Sequence, residues 1–487
     1  MLTLPVYPAF SHKTINQVRK KKPLPLLRNI EISTIAAEGK AIAKYEDMVI
    51  FVPFAAPGDV ADIQITRKRR NYMEGTIVRL HNRSGFRKEP FCEHFGVCGG
   101  CKWQHLDYSR QLEAKQQQVI DHFNRIGKFR FPDPEPVLAS ERTMFYRNKL
   151  EFTFTSRRWL SDDEVSGNEI IEDKSGAGFH IPGRFDKVLD IKKCYLQDEP
   201  SNEIRLAVKE YAREHGLEFF DLVKQQGFLR TLVIRTSSTG EVMVIVVFFH
   251  EDKPVREKLL SHLAGRFPGL TSLMYVINPK ANDTIGDLDA KLFSGRDHIL
   301  ESMEDLQFKI GPKSFYQTNS LQAIELYRIA REYATPLKDE IIYDLYTGTG
   351  TIAAFIARYC KSVTGLEYVP EAIEDAKFNA KLNGLDNTAF YSGDIKDTLT
   401  PDFIRMNGMP DTIITDPPRT GMHQSVVEKI LEIAPPRIVY ISCNSATQAR
   451  DIGLMDSRYR IDRLRAIDMF PHTHHIENVV LLHRRQA

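Results

Sequence analysis

The sequence contains 487 residues, of which 27% are charged and 42% are hydrophobic. This length predicts about three domains rather than one small binding module, and the composition excludes collagen-like and wholly disordered chains. Lysine and arginine number 66 against 64 aspartate and glutamate, so the net charge of +2 indicates no polyanionic partner for the chain as a whole. Any nucleic-acid-binding surface must therefore be local.

The sequence has no segment that predicts a membrane span. The longest uninterrupted apolar run, Val242 to Phe249, has eight residues, whereas a membrane-spanning helix needs about 20. The N-terminus is apolar before it is basic, which reverses the order found in a secretory signal. We therefore expect a cytoplasmic protein without membrane contact.

Two basic clusters are the candidates for a local polyanion-binding surface. One lies in an N-terminal tail, residues 1–22, and the other spans Arg67 to Arg70. Taken alone, a solvated surface or a disordered tail is the simpler explanation of either cluster. The members of the first cluster are Lys13, Arg19, Lys20, Lys21 and Lys22.

Residues 23–83 alternate short apolar stretches with turn signals such as Pro57-Gly58-Asp59. Five short strands in about 60 residues predict a small β-barrel of the oligonucleotide-binding type. The cluster at Arg67 to Arg70 would then lie on a hairpin or loop. The predicted strands are 30–32, 39–43, 48–52, 59–65 and 75–79.

Residues 84–310 predict an α+β region. A polar helix is expected near 109–126, and β-rich stretches occur at 150–155 and 241–249. The polar segment 161–176 is expected to cross the surface.

The six cysteines are the most informative residue type in this region. Cys92, Cys98 and Cys101 are separated by five residues and then by Gly99-Gly100. In an apparently cytosolic chain, such a tight group predicts a metal or iron–sulfur site rather than disulfides. Thiolates hold zinc and iron–sulfur clusters alike, and either group needs a fourth ligand. Cys194 is the candidate, although an unrelated thiol explains its spacing as well.

Residues 311–487 form the last predicted domain, in which the pattern changes from about residue 335 to strands that alternate with helices. This alternation predicts a doubly wound α/β sheet with helices on both faces. Two further apolar runs, 461–470 and 478–482, are expected to complete its edge. The main predicted strands are 341–346, 362–367, 389–391, 411–415 and 437–442.

Acidic residues end four consecutive strands of this predicted sheet. The first strand runs into Asp344-Leu-Tyr346-Thr-Gly348-Thr-Gly350-Thr351, a glycine-rich turn that brings the backbone close to a ligand. Such a turn alone is weak evidence, and the GxGxxG pattern is absent. Glu367 follows some twenty residues later, where a carboxylate binds ribose hydroxyls. With Asp394 and Asp416 after the next two strands, the pattern indicates a nucleoside cofactor.

The last strands carry candidates for a nucleophile and a base. Cys443 lies where an apolar strand gives way to a polar loop, and Glu477 follows His474-His475-Ile476. A thiolate is nucleophilic, and a mobile proton requires a base. The simpler alternatives are an exposed strand-edge carboxylate for Glu477 and a polar loop for the histidines, and for the histidines we prefer the latter. Cys360 is expected to be a small buried apolar residue.

These residues together resemble the bacterial RNA uracil-5 methyltransferases that use S-adenosylmethionine, in particular the iron–sulfur branch that modifies 23S ribosomal RNA. The resemblance covers nearly the whole chain and is specific as a set. Residues 23–83 resemble the TRAM domain of this family, and Ser445 departs from it because many members have proline there. The matching motifs are Phe315-Tyr316-Gln317-Thr-Asn319, Asp416-Pro-Pro-Arg-x-Gly, Ser-Cys443-Asn and His475-Ile-Glu477, together with Cys92, Cys98, Cys101 and Cys194 as ligands of a [4Fe–4S] cluster.

The resemblance implies a role for each matching residue. Cys443 would add to C6 of uracil, and Glu477 would remove the C5 proton. Gln317, Tyr346, Glu367 and Asp416 would contact S-adenosylmethionine, with Thr351 and Asp394 as lesser candidates.

The resemblance also implies 23S ribosomal RNA as the partner, and we expect a monomer without an obligatory protein partner. Three alternatives stay open at this point. One is uracil-C5 methylation of transfer RNA, and another is a non-catalytic iron–sulfur RNA-binding protein. Cytosine-5 methylation is the third, but it calls for a Pro-Cys motif after the fourth strand, where Pro418 precedes Arg419.

Overall fold

The computed structural model describes residues 24–167 and 171–486, which form two compact units. The smaller unit comprises the described residues up to 34 together with 41–85, and the larger one comprises 35–40 together with 86–486. The basic cluster at Lys13 and Arg19 to Lys22 lies outside the described residues. The predicted boundary near residue 310 stays a prediction.

The smaller unit is a closed five-stranded barrel in the order β1-β2-β3-β5-β4, which confirms the predicted barrel. Its interior is filled by alternate apolar side chains of the strands, including Ile32, Ala43, Ile50 and Ile63, all fully buried. The strands are β1 (Leu26–Ile35), β2 (Ala41–Tyr45), β3 (Met48–Val52), β4 (Val60–Lys68) and β5 (Tyr72–Asn82).

The basic residues Arg67 to Arg70 lie at the tip of the β4–β5 hairpin, as predicted. β4 pairs antiparallel with β5, and Lys68 is opposite Met73 in the last pair. All four basic side chains are exposed, so they are available for contacts with phosphates.

The first part of the larger unit is α+β, as predicted. Its main sheet has seven strands in the order β13-β12-β11-β10-β7-β8-β9, and β14 pairs with β15 in a separate hairpin. The predicted polar helix is α1, which continues into a π-helical turn at Phe123–Gly127. The elements are α1 (Tyr108–His122), β6 (Glu135–Leu138), β7 (Lys149–Thr155), α2 (Asp162–Ser166), β8 (Gly176–Ile181), β9 (Arg184–Asp190), α3 (Ser201–Glu214), β10 (Leu229–Thr236), β11 (Val242–Phe248), α4 (Lys253–Arg266), β12 (Ser272–Ile277), β13 (Lys291–Gly295), β14 (Ile299–Met303) and β15 (Leu306–Ile310).

The second part contains an eight-stranded sheet in the order β18-β17-β16-β19-β20-β22-β21-β6. The five strands from β18 to β20 are parallel, and β22 and β21 follow antiparallel. The elements are α5 (Ser320–Ala334), β16 (Ile341–Leu345), α6 (Thr351–Ala357), β17 (Ser362–Glu367), α7 (Pro370–Leu382), β18 (Thr388–Ser392), α8 (Ile395–Thr398), α9 (Pro401–Asn407), β19 (Thr412–Thr415), α10 (Gln424–Ile433), β20 (Arg437–Ser442), α11 (Ser445–Met455), β21 (Tyr459–Ile467) and β22 (Glu477–Arg484).

The predicted doubly wound sheet is confirmed, with one difference at its edge. The two C-terminal runs form β21 and β22, but the outermost strand is β6, which comes from the first part of the unit and pairs parallel with β21. β6 has only four residues, which is too few for the sequence pattern to predict a strand. Its pairing partner lies more than 300 residues later, so no local signal indicates the pairing either. Among the described residues, no helix has the length and apolar character needed to cross a membrane.

Candidate active site

The predicted site residues of the C-terminal sheet gather at one edge. β16, β17, β18 and β19 are parallel neighbours, so their carboxyl ends meet on the same side. Tyr346 follows β16, Glu367 ends β17, Asp394 lies two residues after β18, and Asp416 follows β19. Thr351 begins α6, directly after the turn that follows β16.

The turn after β16 has a backbone that favours glycine. Tyr346, Gly348 and Gly350 have positive φ angles of 63°, 56° and 76°. A Cβ atom at Gly350 would lie 2.9 Å from Cβ of Ala376, whereas one at Gly348 would meet no atom within 4 Å. The turn therefore packs tightly at Gly350 and leaves open space beside Gly348, where a ligand fits against the backbone.

Two carboxylates lie at the ends of neighbouring strands here: Asp344 in β16 is fully buried, and Asp416 after β19 is half-buried. Asp344 accepts hydrogen bonds from Thr347 Oγ1 (2.5 Å) and from the amide of Ala353 (3.1 Å), while its Oδ1 atom has no hydrogen-bond partner among the described residues. Burial raises the pKa of Asp344 to about 7. Burial, with the negative charge of Asp344, also raises the pKa of Asp416 to about 7. A cationic ligand would stabilise both carboxylates, because an opposite charge favours the ionised form.

The chemistry of these residues fits S-adenosylmethionine. The cofactor carries a ribose for the carboxylate of Glu367 and two positive groups, and the unpartnered oxygen of Asp344 is an acceptor that such a group needs. Asp394 differs from the other acids because its carboxylate is paired with the ammonium of Lys396 (2.8 Å), whose backbone amide also donates to it (3.2 Å). Those two hydrogen bonds lower the pKa of Asp394.

Tyr327 lies next to the candidate site residues, and the sequence did not reveal it. Its side chain on α5 is buried and makes a hydrogen bond with the side chain of Gln317. Burial and the charges of three carboxylates raise its pKa well above the usual value. In sequence, Tyr327 is one more apolar position of an amphipathic helix, so no local signal identifies it. The three carboxylates are those of Asp416, Asp344 and Glu477.

Gln317 is held in place by Asn148 from the first part of the unit. The side-chain amide of Asn148 donates a hydrogen bond to the carbonyl of Gln317 (2.8 Å), and its backbone amide donates one to the carbonyl of Thr318 (2.8 Å). Asn319 then caps α5 by accepting a hydrogen bond from the amide of Gln322. The glutamine therefore enters the site at a fixed point just before the helix begins.

Cys443 lies between β20 and α11, beside the turn that contains Arg419. The side-chain amide of Asn444 donates a hydrogen bond to the carbonyl of Arg419 (3.0 Å), and the hydroxyl of Thr447 donates another (3.2 Å). These bonds join the two motifs that the sequence predicts to be catalytic. Ser445 stands where many members of the family that the sequence resembles have proline. Its buried hydroxyl lies 2.8 Å from Nδ1 of His122. This contact is a second way to fix the first residue of α11.

The thiol of Cys443 is poorly ionised in the free protein. Burial raises its pKa to about 11, with the negative charges of Glu477 and Asp416 acting in the same direction. The guanidinium of Arg419 opposes them through its charge and a hydrogen bond to the thiol. Thiolate formation therefore depends on a nearby cation and on removal of the proton.

Glu477 is buried at the start of β22, with 3% of its surface exposed. The alternative of an exposed strand-edge carboxylate is therefore wrong. Burial and the charge of Asp416 raise the pKa of Glu477 well above its usual value, and Arg419 lowers it. A raised pKa makes the carboxylate a stronger proton acceptor. Arg419 thus influences both Cys443 and Glu477.

The histidines before Glu477 do lie in a loop, but the loop is not a polar surface. His472 is 7% exposed. The rings of His474 and His475 lie 4.1 Å apart, between centroids. Burial lowers the pKa of His472 and His474 to about 4 and that of His475 to about 3, so these rings are neutral at neutral pH.

The structure brings the four predicted cysteine ligands to one cavity of about 220 Å³. Burial raises the pKa of Cys101 to about 12 and that of Cys194 to about 11. The amide of Gly100 donates a hydrogen bond of 3.4 Å to Sγ of Cys98. Cys360 is buried elsewhere, as predicted. The cavity is lined by Cys92, Cys98, Cys101 and Cys194, with the cationic side chains of Arg147 and Lys193.

The donor set of this cavity is compatible with an iron–sulfur cluster. Its thiols supply the usual four ligands, and the two cations would balance their negative charge. Across residues 24–167 and 171–486, no group of three or more His, Cys, Asp or Glu side chains is arranged to hold a metal ion. The iron–sulfur assignment therefore stays a prediction.

Comparisons with known proteins show the family to which this chain is similar. Residues 288–485 match the family described as tRNA (Uracil-5-)-methyltransferase, and residues 28–78 match the TRAM domain. An uncharacterized RNA methyltransferase of Porphyromonas gingivalis is 59% identical over 93% of this chain and 99% of its own length. Another, of Bacteroides thetaiotaomicron, is 58% identical over 93% of this chain and 100% of its own.

A solved structure extends the similarity to the fold. The crystal structure of Pyrococcus abyssi tRNA (uracil-54, C5)-methyltransferase in complex with S-adenosyl-L-homocysteine has a TM-score of 0.72 to this chain at 29% sequence identity. The match covers 94% of this chain and 100% of that one. The chain therefore belongs to the family of S-adenosylmethionine-dependent RNA (uracil-5-)-methyltransferases and carries a TRAM domain.

Proposed function

We propose that this enzyme methylates C5 of a specific uridine in 23S ribosomal RNA through a covalent adduct between Cys443 and C6 of the base. One observation carries the proposal: Cys443, Glu477 and Asp416 act on one another electrostatically at the carboxyl edge of the sheet, with Arg419 facing the first two. A nucleophile and a base in one buried pocket are what this reaction needs.

The cofactor contacts that we propose lie around the open side of the glycine-rich turn. Glu367 would bind the ribose, and Asp416 and Gln317 would bind the methionine part. Tyr346 would contact the cofactor from the turn after β16. Thr351 and Asp394 are lesser candidates, since Asp394 already binds Lys396. S-adenosylmethionine supplies an electrophilic methyl group when it is bound.

The residues of the chain activate the uracil for methylation and then release it. Uracil C5 is a poor nucleophile, so Cys443 first adds to C6, and the resulting enolate carries electron density at C5. Arg419 supports this step because it favours the thiolate. After C5 is methylated, Glu477 removes the C5 proton, and elimination of the thiolate restores Cys443. The raised pKa of Glu477 suits this role as a general base.

The target base must leave its stack to enter this buried pocket. Extrusion costs a few kcal/mol and is least for a single-stranded base, so a loop or bulge of the RNA is the expected target. The barrel, with the exposed cluster Arg67 to Arg70, would hold phosphates of the RNA.

The second prosthetic group that we propose is a [4Fe–4S] cluster held by Cys92, Cys98, Cys101 and Cys194. The common cavity of the four thiols supports it. Since methyl transfer moves no net electrons, we assign the cluster a structural or RNA-shaping role. Reduced thiols and an RNA substrate also support our proposal of a cytoplasmic location, and we propose a monomer.

Transfer RNA is the second candidate substrate, and a specific observation favours it. The Pyrococcus abyssi structure that matches this chain over 94% of its length is a tRNA (uracil-54, C5)-methyltransferase. The cysteine motif resembles that of the iron–sulfur branch that modifies 23S ribosomal RNA, and this resemblance favours ribosomal RNA instead. Family membership removes both the non-catalytic alternative and cytosine methylation.

The test is to map 5-methyluridine in 23S ribosomal RNA and in transfer RNA from cells with and without the gene. We expect one 23S uridine to lose its methyl group, and a gene copy encoding Cys360→Ala to restore it. A copy encoding Cys443→Ala should not. Loss from transfer RNA alone would move the assignment to the second candidate, and no loss from either RNA would refute both.

A further inference from the structure

The loop that leads to Glu477, the proposed general base, is anchored on the segment that carries Cys92, Cys98 and Cys101. This loop, residues 468–476, connects β21 to β22 and is called the β21–β22 loop here. The amides of Lys102 and Trp103, which directly follow Cys101, both donate hydrogen bonds to the carbonyl of His472 (2.8 and 3.0 Å). His472 has a φ of 63°, a left-handed conformation that persists only where the surroundings impose it.

Gln111 on α1 joins the two segments with one fully buried side chain. Its Oε1 atom accepts a hydrogen bond from the amide of His472 (2.9 Å), and its Nε2 atom lies 3.2 Å from Nδ1 of the same residue. Nε2 also donates to the carbonyls of Trp103 and Leu106, both at 3.0 Å. The side-chain amide of Gln111 therefore contacts the backbone of the β21–β22 loop and that of the segment after Cys101 at once.

A buried ion pair one helical turn further along α1 holds the start of the same loop. Lys115 Nζ lies 2.5 Å from Oδ1 of Asp468, and neither side chain has any exposed surface. Lys115 also donates a hydrogen bond to the carbonyl of Phe470 (3.1 Å), and the hydroxyl of Tyr108 donates one to Oδ2 of Asp468 (2.9 Å). Buried charges tolerate little displacement, because removal of either partner leaves an uncompensated charge.

The β21–β22 loop decides where Glu477 lies. The antiparallel ladder of β21 and β22 ends with Ile467 opposite Glu477, so the loop begins and ends at the residue pair that contains the base. A change in the loop at His472 therefore acts on the first residue of β22. In contrast, Cys443 follows β20, and the next residue, Asn444, is hydrogen-bonded to the Arg419 turn, which lies outside this loop.

We propose that Gln111 is a positioning residue for removal of the C5 proton. By holding His472 against the cysteine-bearing segment, it places Glu477 for proton abstraction while leaving the attack of Cys443 untouched. The inference rests on the proposed roles of Cys443 and Glu477. It also makes the fold of the cysteine-bearing segment a condition for the last step of the reaction.

The test compares Gln111→Leu, Gln111→Glu and Glu477→Gln in the full-length enzyme. Each is mixed with substrate RNA and S-adenosylmethionine, and the covalent RNA adduct is followed over time on denaturing gels. For Gln111→Leu we expect adduct formation at the normal rate but release slowed about 10- to 100-fold, the size of effect that a small misplacement causes. Gln111→Glu keeps the acceptor for His472 and should recover part of the release rate.

Gln117→Leu makes the same substitution on the exposed face of α1 and should leave both rates unchanged. If Gln111→Leu does not fold, Gln111→Glu is decisive alone, because it still loses the donor to Trp103. Normal release from the folded Gln111 variants, or equal slowing of formation and release, overturns the inference. If Glu477→Gln itself traps no adduct, the proposed function fails instead, so the two failures are distinguishable.

Discussion

The backbone amide of Gly348 donates a hydrogen bond of 3.1 Å to Oε2 of Glu367. The amide of Val369 donates one of 3.0 Å to the other carboxylate oxygen, Oε1. The carboxylate is therefore held in one orientation by the turn after β16 and by its own strand end. Each oxygen keeps a further lone pair, which is the acceptor that two ribose hydroxyls need.

Glu367→Ala should weaken the binding of S-adenosylmethionine by about 10- to 100-fold, since a hydrogen bond to a charged group contributes roughly 1.5–3 kcal/mol. Isothermal titration calorimetry measures the dissociation constant directly. Glu371→Ala, on the exposed side of α7, is the matched control and should bind normally. Equal affinity of the Glu367 variant and the wild type would exclude Glu367 from the cofactor site.

Cys443→Ala and Glu477→Gln should fail at opposite ends of the covalent intermediate. The first variant should form no adduct with RNA, because it lacks the nucleophile. The second should still form the adduct and methylate C5 but should stall before proton removal. Denaturing gels with labelled RNA separate the two outcomes. The same adduct yield from both variants contradicts the assignment.

Cofactor binding should release protons at neutral pH. Asp344 and Asp416 have pKa values raised to about 7 by burial, so in the free enzyme they are partly protonated at pH 7. A bound cation favours the ionised carboxylates, lowers these pKa values and expels protons, and affinity should therefore decrease as the pH falls below 7. Calorimetry in buffers of different ionisation enthalpy measures the release. S-adenosylhomocysteine, which lacks the sulfonium charge, should release fewer protons, and identical heats in all buffers would count against the idea.

Protein purified without oxygen should contain one four-iron cluster per chain. Replacement of Cys92, Cys98, Cys101 or Cys194 by serine should abolish it, because all four line the cavity. Cys360→Ser should retain it, since this cysteine is buried in another part of the core. Iron and acid-labile sulfide analysis provides the measurement, and stoichiometric zinc without iron would rule the cluster out.

Replacement of the hairpin residues Arg67 to Arg70 by serine should weaken RNA binding without changing the chemistry. These exposed cations are placed for phosphates, which position an RNA but do not touch the reacting carbon. The slope of log affinity against log salt should flatten by about 0.7–0.9 for each phosphate that the variant no longer neutralises. The single-turnover rate at saturating RNA should stay unchanged. Lys258→Ser on α4 is the control, and an unaltered slope in the hairpin variant would show that the cluster is only solvated surface.

The sequence by itself was sufficient for the elements whose signals are local. The strands 48–52, 362–367 and 437–442 were predicted at the bounds that the structure has, because an apolar run between turn residues forms a strand wherever it lies. The acids at the carboxyl edge followed from the same pattern, since parallel strands bring their ends together. The grouping of Cys92, Cys98 and Cys101 was equally local.

Only the tertiary structure decided the contacts between residues that are distant in sequence. β6 joins the edge of the sheet by pairing with β21, and Tyr327 enters the site from what reads as an ordinary amphipathic helix. The burial of Glu477 and its link through His472 to Gln111 also depend on segments more than 350 residues apart. Periodicity reports which face of an element is apolar but not which element covers it, so burial, pKa shifts and such long-range anchors become known only when the chain is folded.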